Sequence, residues 1–135
     1  MKPNITPYAL KPFQFIDEVY KKTQLFLHHT AGNSHPLRVV DGWNSNTDRI
    51  ATAYIIAGRP KVGDNYHDGD IVQCFDETKF AFHLGLQQAT FTSAGIPYKS
   101  LDKISIGIEV CNFGWLTKMP DGSFETYVHS KIDPA

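Results

Sequence analysis

Apolar and polar positions alternate most regularly along Ile104-Ser105-Ile106-Gly107-Ile108-Glu109-Val110-Cys111. A period of two predicts a strand with Ile104, Ile106, Ile108 and Val110 on one face, and Ser105, Gly107, Glu109 and Cys111 on the other. The stretch Gln24-Leu25-Phe26-Leu27-His28-His29-Thr30-Ala31-Gly32 behaves differently. Leu25, Phe26 and Leu27 form an unbroken apolar run, which predicts a central strand over 24–28 buried on both faces. His28 and His29 follow at its carboxyl end, where open α/β sheets place their ligand crevices. Neighbouring side chains on a strand point to opposite faces, so one imidazole would face the crevice while the other packs behind it. A hydrogen-bonded pair and a metal site are both compatible with that arrangement.

Weaker patterns fill in the rest. Pro36 is placed to start a helix that carries Leu37, Val39, Val40 and Trp43 and breaks at Asn44-Ser45-Asn46. Ile50–Ile56 and Ile71–Phe75 are rich in β-formers, and the turn-dense segment between them predicts a hairpin with a long loop. Ala81-Phe82-His83-Leu84-Gly85 comes next, then a polar loop through Thr92, Ser93, Gly95 and Pro97. A hairpin is expected around Asp121-Gly122. Residues 1–12 read as an extended lead-in, and Phe13–Tyr20 fits a short helix or an arm equally well. His35 and His67 lie in turn-rich loops and are expected to be solvated; Trp43, Tyr54, Phe80, Phe82 and Trp115 are expected in the core, with a groove wall as the alternative for Trp115 beside Gly114.

Composition narrows the function classes. The 135 residues suit one domain or part of one, and 41% hydrophobic content can build a core. Thirteen basic against fourteen acidic residues, with no cluster of either sign, argue against nucleic acid and anionic membrane surfaces as partners. No apolar run is long enough for a membrane span, and Pro3, Asn4, Thr6 and Pro7 stand where a signal peptide would carry its apolar region. Cys74 and Cys111 are too far apart to form a metal-type pair and are expected as buried free thiols, with a single disulfide as the alternative.

Three fragments, Phe26–Gly32, Ala81–Gly85 and Ser105–Asn112, occur in an order and at separations that resemble the zinc-dependent N-acetylmuramoyl-L-alanine amidases of the type-2 family. That family is related to phage amidase lysins and to the peptidoglycan recognition proteins, and the resemblance spans about residues 23–116. It implies an α/β fold, with a mixed central β-sheet flanked by helices, and a groove holding Zn²⁺ and the stem peptide of peptidoglycan. The implied reaction is hydrolysis of the amide between N-acetylmuramic acid and L-alanine. Position by position, His28 matches the first zinc ligand and His29 a neighbour that is not a ligand. Glu109 matches the acid that handles the attacking water, and His83 and Asn112 match groove positions. Thr30 and Tyr54 are the further substrate-side positions. The chemistry is coherent, because a catalytic zinc takes three protein ligands and leaves one position open, and a carboxylate beside it can move the proton of the attacking water.

The match departs from the family in two places. At the second strand Ala51, Thr52, Ala53 and Tyr54 replace the usual His or Tyr setting. The family's later ligands, a His and then an Asp or Cys, follow a long helix beyond the Glu109 strand. This sequence ends 24 residues past Cys111, which implies the N-terminal portion of a longer amidase domain. Val128-His129-Ser130-Lys131-Ile132-Asp133-Pro134 resembles the late ligand loop and would make His129 and Asp133 ligands. Its spacing is too short for the sheet-covering helix, so coincidence is the competing reading. Two other functions stay open: a non-catalytic muropeptide-binding module of the same fold, and a small α/β domain whose histidines are structural.

Overall fold

The computed structural model describes residues 5–8, 10–32, 35–60, 62–85, 91–93, 96–98, 100–127, 129 and 131–132. The alternating segment forms strand β7, Ser105–Val110, and the histidine segment forms β2, Gln24–His29. These two pair in parallel along their whole length, Gln24 opposite Ser105 through His29 opposite Val110. β3 (Tyr54–Ile56) lies parallel on the other side of β7, and β4 (Ile71–Gln73) pairs antiparallel with β3, as the predicted hairpin requires. The lead-in supplies a further strand, β1 (Ile5–Pro7), parallel to β4. The result is a mixed five-stranded sheet in the order β1-β4-β3-β7-β2.

Among the described residues the core packs on one face of the sheet. Helix α1, Pro36–Asn44, starts with proline at its first position, where the missing N–H has no helical partner to lose. It ends where Ser45 bonds back to the Gly42 carbonyl through both backbone N–H and hydroxyl. Its fully buried Val40 joins Ile55, Val72, Ala51, Ala53, Cys74, Phe75, Ala81 and Cys111 in one core cluster, with Leu37, Val39 and Trp43 packed against it. Ile55 and Val72 lie in register with Glu109 and with each other across the sheet, so the core occupies the Glu109 side. Both cysteines are buried and free.

The opposite face overturns one expectation. β2 is an edge strand, and Leu25 and Leu27 are 56% and 68% exposed. An apolar run records that a strand could be buried on both sides, whereas its place in the sheet decides whether it is. Leu25 and Leu27 share this open face with Ile106 and Ile108 of β7.

Smaller elements follow. Phe13–Tyr20 contributes a single 3-10 turn, Pro12–Gln14, and a bridge from Ile16 to Phe80. The expected polar loop after residue 90 is instead a pair of antiparallel strands, β5 (Phe91–Ser93) and β6 (Ile96–Tyr98), and Gly95 lies outside the described residues. A one-turn helix, α2 (Leu101–Ile104), leads directly into β7. The hairpin at Asp121-Gly122 joins β8 (Leu116–Lys118) to β9 (Phe124–Thr126), and β10 (Lys131–Ile132) completes a separate three-stranded sheet. Among the described residues no helix is long and apolar enough to cross a membrane.

Candidate functional site at the ends of the parallel strands

Because β2, β3 and β7 run parallel, their carboxyl ends reach the same edge of the sheet. His28 stands directly opposite Glu109 on the neighbouring strand. In-register side chains of parallel strands share a face, and the strands lie about 4.8 Å apart. The alternation expected for the two histidines is present: His28 is half-buried on the Glu109 side, and His29 is exposed.

His83 comes to the same place by a different route. It sits in a turn pinned by Phe82 N–H donating to the Arg49 carbonyl and by Leu84 N–H donating to Asp102 Oδ1. Its imidazole lies over β7 because residue 107 is glycine; a Cβ there would come within 2.8 Å of the His83 ring. His28 Nε2 is 3.0 Å from His83 Nδ1, and His83 Nε2 is 2.8 Å from Ser105 Oγ. The Ser105 hydroxyl donates to the Leu101 carbonyl at 2.5 Å. The His83 side chain is only 3% exposed, so it meets His28 from beneath rather than opening on solvent.

Burial dominates the electrostatics. It pushes Glu109 up to about 7, into the range where a carboxyl can both take and return a proton near neutrality. Burial, with His28 and Lys22 nearby, lowers His83 to about 4 and so keeps it neutral. Burial also lowers His28, against an opposing pull from Asp102, with His29 adding to the lowering. Asp102 is raised by its own burial although the backbone N–H groups of Leu84, Asp102 and His83 favour its charged form.

Two open pockets flank His29. The first, about 320 Å³, is lined by His29, Thr30, Val39, Trp43 and Glu109, so α1 forms one wall and the end of β7 the floor. The second, about 490 Å³, is lined by His29, Asn112, Gly114 and Trp115. The loops that follow β2 and β7 are stitched together here. The Thr30 hydroxyl donates to the Asn112 carbonyl at 3.1 Å and accepts from Asn112 N–H at 3.2 Å. Gly32 N–H donates to the same carbonyl. Gly114 has a positive φ of 66° and lies against Ala31, and glycine tolerates both the conformation and the contact.

The expected site residues therefore divide. His28, His83 and Glu109 meet on one sheet face, and Thr30 and Asn112 join at the adjoining loop. Tyr54 does not: it is in register with Ile108 on the open face, and its hydroxyl donates to Glu77 Oε2 at 3.0 Å. His129 lies just before β10 of the separate sheet, largely exposed and 3.3 Å from Glu125 Oε1. Asp133 lies outside the described residues. Two aromatic expectations change as well. Trp115 is 79% exposed, the opposite of a core residue, and His35 is half-buried, edge-on to Tyr66 with ring centroids 4.9 Å apart. Sequence reasoning missed Val39 and Trp43 as pocket walls and Ser105 as the partner of His83. For Ser105 a signal existed, since the alternation had already put it on the Glu109 face.

His28 offers one imidazole nitrogen of the kind that zinc takes, and Glu109 stands opposite it as an acid–base group. Among the described residues no cluster of three or more His, Cys, Asp or Glu side chains surrounds a common point. Comparison of the chain with protein-family models, with curated proteins and with solved structures finds no match.

Proposed function

We propose that this chain is the core of a zinc-dependent amidase that cleaves the bond between N-acetylmuramic acid and L-alanine in peptidoglycan. One observation carries the reading: His28 and Glu109 stand opposite each other at the carboxyl ends of parallel strands, and Glu109 lines a solvent-open pocket. The three fragments that resemble the type-2 amidases are the ones that converge there.

In this reading His28 is the metal ligand on which the site rests, and bound zinc supplies Lewis acidity toward the amide carbonyl. Glu109 takes the proton of the attacking water and passes it to the leaving amine. A carboxyl held at about 7 suits both transfers. Trp43 and Val39 shield one side of the pocket from solvent. The exposed indole of Trp115, beside Asn112 and His29, offers a flat apolar surface of the kind that stacks on a sugar ring.

The test is release of L-alanyl peptides from purified muropeptides with zinc supplied. Glu109→Gln is expected to lower the rate by about 10²–10⁴-fold, the usual contribution of a positioned acid–base group. Near-normal turnover in that variant rules out the proposed base. Muropeptide binding without hydrolysis by the unaltered chain points to a recognition module instead.

A further inference from the structure

We infer that the Leu101 carbonyl, acting through Ser105 and His83, holds His28 as the tautomer protonated on Nε2, so that Nδ1 is the lone pair His28 presents to a metal ion. The metal half of this inference rests on the reading above, while the tautomer is a property of the chain alone.

The argument runs along three contacts in order. A carbonyl oxygen has no proton to give, so at 2.5 Å the single hydroxyl proton of Ser105 must point at Leu101. Ser105 Oγ therefore turns a lone pair toward His83 Nε2, 2.8 Å away, and that nitrogen must carry the ring proton. The His83 ring is enclosed, and its Nε2 is 4.0 Å from Asp102 Oδ1, beyond hydrogen-bond reach. At the mildly alkaline pH of the test below an imidazole carries one proton, so with Nε2 protonated the His83 Nδ1 is bare. His28 Nε2, 3.0 Å from that bare nitrogen, is then the donor. A neutral imidazole carries one proton, so His28 Nδ1 is left unprotonated. One backbone oxygen of α2 thus sets, across two side chains, which nitrogen of a histidine on β2 is free.

This makes Ser105 and His83 positioning residues, neither reaching a substrate. Their local setting serves that task. Gly107 admits the His83 ring, and the Leu84–Asp102 bond fixes the turn that carries it. Outer partners of this kind orient a ligating histidine and set its tautomer.

The test uses the full chain, labelled with nitrogen-15 and freed of metal, at mildly alkaline pH. Long-range nitrogen–proton correlation spectra distinguish protonated from bare ring nitrogens. Both His28 and His83 are expected with the proton on Nε2; a His28 proton on Nδ1 overturns the inference, and the unaltered chain alone decides this. Ser105→Ala is expected to turn both rings into tautomer mixtures and to weaken zinc binding by about 10–100-fold. Ser105→Thr, which keeps the hydroxyl, restores the single tautomer. Folded Ser105→Ala with unchanged tautomers and affinity overturns the inference. Added zinc should shift the Nδ1 signal of His28 and leave its Nε2–H in place. Loss of that proton with a shift on Nε2 overturns the inference. If zinc moves neither nitrogen while both rings keep the expected tautomer, the hydrolase reading fails and the hydrogen-bond chain stands.

Discussion

Replacing Glu109 by glutamine in the metal-free chain should stabilise the fold, and more so as pH rises. Burial lifts this carboxyl from its ordinary value of 4.5 to about 7. The folded chain therefore binds the proton more tightly than the unfolded chain does. The stability that this proton confers is fully present below 4.5 and is lost as pH climbs through about 7. Raising a carboxyl over that interval corresponds to a ceiling of about 3 kcal/mol. Glu109 lines an open pocket, and solvent screening there reduces the effect to about 1–2 kcal/mol. The neighbouring Cys111 thiol does not offset it, since burial and Glu109 itself hold that thiol up at about 11. Glutamine is nearly isosteric and does not titrate. Urea unfolding with chelator present, at about pH 5 and about pH 8, measures the difference between variant and parent. That difference should grow by about 1–2 kcal/mol toward the alkaline side. A flat difference, or one that shrinks, refutes the claim that burial raises Glu109. Saturating zinc should reverse the trend, because a cation alongside favours the charged carboxylate.

Three further outcomes follow from particular contacts. Gly107→Ala places a Cβ within 2.8 Å of the His83 ring, and should destabilise the fold by about 1–3 kcal/mol in urea titrations while abolishing the His28–His83 bond in nitrogen spectra. Leu27→Ser on the open face should change stability by less than about 1 kcal/mol, whereas Ile55→Ala, fully buried two strands away, should lower it by about 2–5 kcal/mol; equal losses would mean that β2 is covered in solution. Trp115→Ala should leave stability within about 0.5 kcal/mol, weaken binding of a muropeptide that carries its sugars, and spare binding of the free peptide, all by calorimetry.

The strands that build the site were legible because their signals are local. Alternation from Ile104 to Cys111 sorts Ser105, Gly107 and Glu109 onto one face whatever surrounds the strand, and β7 obeys it residue by residue. The opposite orientations of His28 and His29 follow from the same geometry. Pro36 and the Asn44-Ser45-Asn46 break locate α1 to within a residue. The failures are of another kind. No window around Leu25–Leu27 records that β7 takes one side of β2 and solvent the other. Tyr54 is one residue from Ile55, which pairs with Glu109, so strand parity sends Tyr54 to the opposite face. His83 lacks periodic neighbours altogether, and reaches His28 only because a glycine on a distant segment leaves room.

The same contrast explains why the site is asymmetric. Parallel pairing of β2 with β7 fixes His28 and Glu109 by backbone hydrogen bonds, which hold their relative height however the loops move. The loop residues Thr30 and Asn112 are joined through one hydroxyl that both donates and accepts. Each such bond is worth about 1 kcal/mol, so losing Thr30 should loosen the second pocket while leaving the His28–Glu109 register intact. A groove built this way keeps its chemistry on strands and its contacts to larger ligands on loops, and sequence changes at Trp115 or Asn112 can alter what binds without moving the proposed base.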